Sequence, residues 1–391
     1  MKLEDWSGDP LPEDAARATL VGRIWDPAVE GPCVVRVEGG DLVDITAAAP
    51  TMRDLCEAAD PVAFARAAKG RRVGTLKEIL ANTPRESRDP KKPRLIAPND
   101  LQAIKAAGVT FVVSMLERVI EEQARGEAAR ADSIRAEITA TIGDDLRKLK
   151  PGSEQAKALK ALLIKKGVWS QYLEVGIGPD AEVFTKAQPM AAVGHLAEAG
   201  LNPMSAWNNP EPEVVLVVSS AGKIVGATLG NDVNLRDVEG RSALLLGKAK
   251  DNNASASVGP FIRLFDKNFT LDDVRRAELR LTVEGDDGFR LEGASDMGKI
   301  SRDPADIVGQ TIGANHQYPD GFVLYLGTAF APTKDRGAPG QGFTHRMGDI
   351  VHVESPKLGR LTNVMTTSRD AEPWTFGAAA LMRNLAKRGL I

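Results

Sequence analysis

Glu211 and Glu213 are the residues whose type and spacing first suggest chemistry. They lie two positions apart at the head of the apolar run 214–218, so in a β-strand both side chains point to the same face of the sheet. No histidine or cysteine lies in this stretch, and oxygen ligands alone favour hard cations such as Mg²⁺, Mn²⁺ or Ca²⁺. The pair is therefore a candidate for metal binding.

A third carboxylate joins the pair if the apolar runs on either side of residues 221–222 form a hairpin. This Ala-Gly dipeptide suits a two-residue turn. When Ser220 faces Lys223, Glu211 lies directly opposite Asp232, and cross-strand β-carbons are about 4.5–5.5 Å apart. Three like charges at that distance repel unless a cation lies among them. The hairpin is thus either a catalytic divalent-metal site or a solvated strand end with ordinary surface carboxylates.

Further charged groups flank the hairpin in sequence. Glu182 and Lys186 precede it, and Lys250 follows it. A lysine can stabilise a developing enolate, and a carboxylate of suitable pKa can remove a proton alpha to a carbonyl. Taken singly, each of these residues is more often a surface charge, and His195 is more often a turn or core histidine.

Gly327 and Thr328 follow an apolar run that ends at residue 326. A glycine and a threonine at the end of a strand can present a backbone N–H and a hydroxyl to a substrate carboxylate. A plain transition from strand to turn is the alternative interpretation of the same two residues.

The composition is that of a soluble globular protein, with 391 residues, 43% apolar and 26% charged. A net charge of −3 gives no support for nucleic-acid binding. The basic stretch 69–94 contains acidic residues and no aromatic ones, so we predict a solvated linker there.

Several classes of protein find no support in the sequence. Cys33 and Cys56 are too few for a disulfide framework. No apolar stretch is long enough to span a membrane and the N-terminus has no signal-peptide core, so we expect a cytoplasmic protein. Motifs for nucleotide binding, for a serine nucleophile elbow and for a zinc protease are absent from the sequence.

The pattern along the chain predicts strands at both ends of a helical middle. The predicted elements are, in chain order, strands in 18–46 with a hairpin turn at 39–40, a helical piece at 51–68, a linker at 83–98, a largely helical region at 99–166 that ends in a short helix at 153–166, mostly strands from 169, and a last helix at 376–388.

Several segments together resemble the fumarylacetoacetate hydrolase superfamily. They are PEPE at 210–213, GATLGNDVNLRDVEGR, AKDNNASASVGP, FVLYLGTAFAP and MGDIVHVESPKLGRLTN. Each segment is weak evidence alone. Their order and spacing over roughly residues 100–365 are specific, because they include the Glu-x-Glu and Asp ligands at the separation that the superfamily shows.

Within this superfamily the chain is most similar to the 2-keto-3-deoxy-pentonate dehydratases of the arabinonate and xylonate types, through EVFTKAQPMAAVGH and VEGRSALLLGKAKDNNASASVGP. The resemblance implies Mg²⁺, or Mn²⁺, as the cofactor. The site that it implies consists of the metal ligands Glu211, Glu213 and Asp232, the catalytic residues Glu182 and Lys250, and the substrate-binding residues Lys186, Gly327 and Thr328.

The implied fold is α+β. It has a β-rich catalytic domain over residues 98–391, with a rolled mixed sheet around the metal, after a small N-terminal α/β domain and linker over residues 1–97. A helical insertion at about 124–170 is not found in short members of the family. The resemblance also implies a homodimer or homotetramer that acts on a small 2-keto sugar acid.

The implied activity is the dehydration of a 2-keto-3-deoxy-D-pentonate to 2,5-dioxopentanoate in oxidative pentose catabolism. The alternative is an acylpyruvate C–C hydrolase or an oxaloacetate decarboxylase of the same superfamily, since the same metal ligands serve all three reactions. A metal-binding module without activity is a third hypothesis.

Overall fold

Two β-sheets form the framework of the part of the chain that the computed structural model describes, residues 9–125, 127, 149–165, 167, 169–330, 332, 334–337 and 342–391. The strands are β1 (Leu20–Asp26), β2 (Gly31–Glu38), β3 (Asp41–Asp44), β4 (Arg71–Thr75), β5 (Arg94–Ile96), β6 (Ala103–Gly108), β7 (Glu182–Ala187), β8 (Ala197–Leu201), β9 (Pro212–Val218), β10 (Ile224–Asp232), β11 (Ala256–Leu264), β12 (Glu278–Glu284), β13 (Arg290–Asp296), β14 (Phe322–Tyr325), β15 (Ile350–Ser355) and β16 (Gly359–Thr367).

The helices are mostly short and lie between the strands. They are α1 (Met52–Cys56), α2 (Pro61–Ala67), α3 (Leu76–Ala81), α4 (Val112–Ala124), α5 (Glu154–Lys165), α6 (Gln171–Ile177), α7 (Arg236–Glu239), α8 (Leu246–Lys250), α9 (Leu271–Arg275), α10 (Pro304–Thr311) and α11 (Ala378–Lys387). Among the described helices, none has both the length and the apolar character needed to cross a bilayer.

The larger sheet has eleven strands in the order β4-β3-β2-β1-β11-β10-β9-β14-β6-β7, with β5 added against β1. The smaller sheet has five strands in the order β13-β12-β15-β16-β8. Most neighbours are antiparallel, whereas β14 pairs with β6 and β16 pairs with β8 in parallel. This mixed α+β architecture confirms the predicted fold class.

The centre of the larger sheet is buried on both faces. Every residue of β9 is buried. Val214 and Leu216 belong to the hydrophobic cluster that the two sheets share, whereas Val215 and Val217 belong to the cluster on the opposite face, with side chains of α1. A strand that is buried on both faces has a continuous run of apolar residues in its sequence, as β9 does. The rigid centre of the sheet thus carries the carboxylates at the head of β9.

The predicted N-terminal strands are present as β1, β2 and β3. Gly39 and Gly40 form the turn between β2 and β3, with positive φ angles of 58° and 90° that glycine adopts readily. These strands extend the larger sheet, because β1 pairs with β11. The predicted domain boundary after residue 97 falls between β5 and β6 and stays a prediction.

Two expectations for residues 83–166 are wrong in part. The predicted linker at 83–98 contains β5, which pairs with β1. The region predicted as largely helical contains β6, a short alanine-bearing strand whose neighbours β14 and β7 decide its conformation. Helix α5 matches the short helix predicted at 153–166. Residues 128–148 of the predicted helical insertion lie outside the described residues.

Candidate active site

The hairpin of β9 and β10 brings the predicted metal ligands together. Glu213 pairs with Gly230, and the amide of Asp232 donates a 3.0 Å hydrogen bond to the carbonyl oxygen of Glu211. Glu211 therefore lies opposite Asp232, as the sequence predicted.

The predicted two-residue turn of this hairpin is wrong in detail. The amide of Ser219 donates to the carbonyl oxygen of Lys223, so the loop has three residues and Gly222 takes its positive φ of 76°. A bulge between Ile224 and Gly226 then shifts the pairing by one residue. This shift restores the register that the simple turn would have given.

The three carboxylates are buried and close enough to hold one ion. Each of Glu211, Glu213 and Asp232 offers an oxygen within 4.8 Å of the others. Burial, then the charges of Asp232 and Glu211, raises the pKa of Glu213 well above its usual range. The amide of Gly327 donates a 2.6 Å hydrogen bond to Glu213 Oε2, which fixes this carboxyl group in place. The donor set is therefore that of a hard divalent cation.

Two lysines neutralise Asp232 from opposite sides. Lys186 Nζ lies 2.7 Å from Asp232 Oδ1, and Lys250 Nζ lies 3.0 Å from Asp232 Oδ2. Lys250 also forms an ion pair with Glu211. Burial acts to raise the pKa of Asp232, but the two lysines outweigh it and lower that pKa below its usual value.

Lys186 is completely buried, and its ammonium group contacts the interior of the protein. Besides Asp232, it donates hydrogen bonds to the carbonyl oxygens of Val233 and Lys250, the first at 3.1 Å. Lys186 is not among the residues that line the cavity at the carboxylates. Its contacts associate it with Asp232, and its predicted role in substrate binding stays a prediction.

Glu182, at the start of β7, lines the same cavity as the triad. It pairs with Gly108 of β6, where a β-carbon would stand only 2.0 Å from Glu182 Oε2. Burial, then the charge of Glu239, raises the pKa of Glu182 to about 7, and the charges of Arg118 and Lys250 oppose the increase. A carboxyl group with a pKa near neutrality can both accept and return a proton.

A narrow cavity of about 30 Å³ joins the predicted catalytic groups. Its lining includes the acidic triad and four further predicted residues, Glu182, Lys250, Gly327 and Thr328. The structure thus brings seven of the eight predicted site residues to one cavity, with Lys186 behind Asp232.

His195, the alternative proton acceptor, does not line this cavity. Its Nδ1 accepts a 3.0 Å hydrogen bond from the amide of Thr362 on β16. Burial, with the charges of His352 and Arg360, lowers its pKa to about 3. The interpretation as a core histidine is therefore correct, and a role as base is not supported.

Arg118 and Glu239 also line the cavity, and the sequence analysis missed both. Arg118 lies on α4 and Glu239 ends α7. The signal for Arg118 was its position three residues after Met115 and next to Val119, which puts a charge beside a buried apolar stripe. Glu239 lies in the segment VEGR, which the sequence analysis used only as evidence of the family resemblance.

No family model matches the chain. The 2-dehydro-3-deoxy-D-arabinonate dehydratase of Saccharolobus solfataricus is 34% identical over 183 residues, which are 46% of this chain and 57% of that protein. The probable 2-keto-3-deoxyxylonate dehydratase of Haloferax volcanii is 31% identical over 196 residues, 50% of this chain and 64% of that protein. The matched segments thus span less than two thirds of either curated relative.

Solved structures extend the likeness over most of the chain. A 2-keto-3-deoxy-D-arabinonate dehydratase complexed with magnesium and 2,5-dioxopentanoate superposes with a TM-score of 0.60 at 20% identity, over 89% of this chain and 99% of that one. The chain has the fumarylacetoacetate hydrolase fold. A 5-carboxymethyl-2-hydroxymuconate delta-isomerase from Mycobacterium smegmatis has a TM-score of 0.52 at 19% identity, over 89% of this chain and 98% of that one. The predicted resemblance is thereby confirmed.

The charges at the site suit a divalent ion in this fumarylacetoacetate hydrolase fold. Five carboxylates and three cations meet in and behind the cavity: Glu182, Glu211, Glu213, Asp232 and Glu239 with Arg118, Lys186 and Lys250. If all are ionised, two negative charges remain without a partner, and one divalent cation balances them. The residues present therefore fit the metal that the triad implies.

Proposed function

We propose that the protein is an Mg²⁺-dependent hydro-lyase that converts a 2-keto-3-deoxy-D-pentonate, of the arabinonate or xylonate type, to 2,5-dioxopentanoate. The observation that carries the proposal is the convergence of three buried carboxylates, Lys250 and a Glu182 of near-neutral pKa on one cavity. The names of the two curated relatives, and the product bound in the solved dehydratase structure, support the same substrate class.

Glu211, Glu213 and Asp232 would hold the ion, Mg²⁺ or Mn²⁺. When bound, it would act as a Lewis acid on the keto acid and make the protons on C3 more acidic. Lys186 and Lys250 hold Asp232 from both sides, so that its carboxylate is ionised and oriented toward the site. Gly327 fixes Glu213 through its backbone amide.

Glu182 would accept the proton from C3. The electron pair of that C–H bond forms the C3–C4 double bond as the C4 hydroxyl leaves, and this hydroxyl takes up a proton and departs as water. The enone that remains loses a proton from C5 and gains one on C3, which gives an enol with a C4–C5 double bond. The hydroxyl of this enol then loses its proton and C4 gains one, which yields the C5 aldehyde of 2,5-dioxopentanoate. A carboxyl group with a pKa of about 7 suits both the acceptance and the return of a proton.

Lys250 would face the reacting atoms as a cation. Its ammonium group lies at the cavity wall, and its pairing with Asp232 and Glu211 raises its pKa above the usual value although burial acts to lower it. It is therefore charged at every working pH. Thr328, in the same lining, would donate or accept a hydrogen bond with the substrate, and Gly327 would support substrate binding there. Lys186, behind Asp232, would support substrate binding through that carboxylate.

A coupled assay tests the proposal. The purified protein is incubated with Mg²⁺ and each C4 epimer of the pentonate, and an NADP-linked semialdehyde dehydrogenase reports the product. Turnover of one epimer that stops with a chelator is expected. Absence of turnover with both epimers contradicts the proposal, and consumption of an acylpyruvate or oxaloacetate in parallel reactions would favour C–C hydrolysis or decarboxylation instead.

Three further features belong to this proposal. We expect a homodimer or homotetramer, which light scattering after gel filtration would measure. We expect a cytoplasmic enzyme of pentose catabolism. We also keep the division into an N-terminal segment, 1–97, and a catalytic domain, 98–391, as a proposal that limited proteolysis would test.

A further inference from the structure

Arg118 bridges two buried carboxylates that come from different elements. One guanidinium nitrogen lies 2.6 Å from Glu211 Oε1 and the other lies 3.0 Å from Glu239 Oε2. The side chains of Glu211 and Glu239 are each 5% exposed, and that of Arg118 is 12% exposed. A planar guanidinium presents its donors in a rigid fork, so Arg118 can hold two carboxylates in a fixed geometry. Arg118 therefore connects a metal ligand to a carboxylate that has no predicted role.

The packing of α4 against α6 and α7 holds this ion pair in place. Met115 and Val119, which flank Arg118 on α4, pack in one apolar cluster with Tyr172 and Leu173 of α6. Glu117, beside Arg118, forms a 3.4 Å ion pair with Arg236 at the start of α7. Helix α4 thus contacts α7 through two adjacent ion pairs. Of these, only the pair of Arg118 with Glu239 lines the cavity.

Glu182 lies in the same cavity as both partners of this pair. After burial, the charge of Glu239 is the largest influence that raises the pKa of Glu182, and the charge of Arg118 is the largest that lowers it. Two opposite charges in contact with each other thus act on the proposed proton acceptor in opposite directions.

We propose that Arg118 and Glu239 are positioning residues of the dehydration: as a buried ion pair they set the proton affinity of Glu182, and Arg118 orients Glu211. The inference rests on the proposed function, because it takes Glu182 as the proton-transfer group. Neither residue acts on the substrate in this account. Each works through Glu182 or Glu211.

The other charges around Glu182 also have partners outside this pair. Lys250, from α8, lowers the pKa of Glu182, and Glu211, just before β9, raises it. Glu213 and Asp232 complete the charged lining. Because each of these groups keeps a partner outside the ion pair, among them Gly327, Lys186 and Lys250, a substitution in the pair removes one charge at a time.

The test compares two variants that break the same ion pair. Arg118→Gln removes a positive charge that opposes the charge of Glu239, so the pKa of Glu182 rises. Glu239→Gln removes a negative charge and releases Arg118 toward Glu182, so that pKa falls. Each shift should be about one pH unit. Opposite shifts distinguish electrostatic tuning from structural damage, which would move both variants in the same direction or neither.

Two measurements report the shift. The first is the pH profile of kcat/KM at saturating Mg²⁺, whose acid limb should move to higher pH in Arg118→Gln and to lower pH in Glu239→Gln. Arg118→Lys should restore most of the wild-type profile, since it keeps the charge. The second is a carbon-13 NMR titration of the metal-free protein labelled at the glutamate carboxyl carbons, in which Glu182→Gln identifies the signal of Glu182.

Glu117→Gln is the matched control. It breaks the neighbouring ion pair between the same two helices but does not line the cavity, so its pH profile should match that of the wild type. Shifts of the same sign in Arg118→Gln and Glu239→Gln, or an unshifted signal in Glu239→Gln, would overturn the inference. If no pentonate is turned over, the NMR titration still decides it, so the failure of the proposed function remains distinguishable. If Arg118→Gln does not fold, the downward shift in Glu239→Gln alone decides the question.

Discussion

Gly108 lies directly opposite Glu182 in the β6–β7 pair, and the absence of a side chain at Gly108 makes room for the Glu182 carboxyl group. A β-carbon at this position would stand 2.0 Å from Oε2 of Glu182 and 2.8 Å from its carboxyl carbon. Atoms at these distances overlap, so a side chain at this position would displace the Glu182 carboxyl group. The position of the proposed base therefore depends on a glycine in the neighbouring strand.

We predict that Gly108→Ala lowers kcat at least about 100-fold, because general-base catalysis contributes about 10²–10⁴-fold and requires a base within hydrogen-bond reach. Metal affinity should remain, since the strand partner of Gly108 is Glu182 and not one of the three metal ligands. Steady-state kinetics and Mn²⁺ titration would measure the two quantities. Gly309→Ala is the control, because a β-carbon there meets nothing within 4 Å. Unchanged kcat in Gly108→Ala would show that Glu182 is not held as described.

A second glycine supports the metal ligand Glu213. Gly327 has a φ of 85°, and a β-carbon there would lie 2.1 Å from Oγ1 of Thr110. Gly327→Ala should lose about 1–3 kcal/mol of unfolding free energy through backbone strain. It should also weaken divalent binding, because the amide of Gly327 orients Glu213.

Urea unfolding and calorimetric Mn²⁺ titration would check this prediction. Gly222→Ala carries a similar strain, at a φ of 76°, in the hairpin turn far along β9 and β10 from the carboxylates. This control should lose stability and keep metal affinity. Equal metal affinity in both variants would remove Gly327 from the metal site.

Glu213→Gln should abolish divalent binding and leave the fold intact. The amide removes one charge from a set of ligands whose mutual repulsion raises the pKa of Glu213. Without metal, the variant should therefore unfold at the same temperature as the wild type or higher. With Mg²⁺, only the wild type should gain thermal stability. An equal gain in both proteins would mean that the hairpin is structural.

The register of the site was predictable, whereas one of its cations, Arg118, was not. Glu211 and Asp232 lie opposite each other because strand periodicity and a short turn constrain any hairpin of this length, even though the bulge before Gly226 was invisible in the sequence. Arg118 reaches the site from a helix about a hundred residues earlier. Only tertiary packing of α4 brings it there, and local sequence patterns carry no information about such packing.

Strand β6 is the part of the fold that local sequence patterns likewise could not predict. Its residues, AIKAAG, have low strand propensity apart from the isoleucine, and their parallel pairing with β14 joins segments more than two hundred residues apart. Lys105 Nζ donates to Thr185 Oγ1 across the pair with β7, a contact that single-sequence reasoning cannot locate. The metal ligands were predicted because they are neighbours within one hairpin.

His195 makes the protein sensitive to acid. Burial lowers its pKa to about 3 in the folded state, below the value of about 6.5 for an unfolded chain. Between these values the unfolded state binds a proton that the folded state does not, so stability falls as pH falls below 6.5. The slope is about 1.4 kcal/mol per pH unit.

When the pH falls from 7 to 5, the free energy of unfolding of His195→Gln should therefore decrease by about 2 kcal/mol less than that of the wild type. Urea unfolding at both pH values would measure the difference. If the two proteins lose stability in parallel, the histidine is protonated in the folded state and the burial described here is incorrect.

We propose that this cavity performs metal-dependent dehydration with Glu182 as the proton acceptor. The most direct test follows the formation of 2,5-dioxopentanoate by NMR with Mg²⁺ and each pentonate epimer, for the wild type, Glu182→Gln and Lys250→Ala. We predict turnover by the wild type and a loss of about 10²–10⁴-fold in Glu182→Gln, which still binds pyruvate. Lys250→Ala should lose both rate and affinity, because a cation facing the substrate acts on the ground state and the transition state alike. No turnover of either epimer by the wild type, or Glu182→Gln activity within about tenfold of it, would contradict the claim.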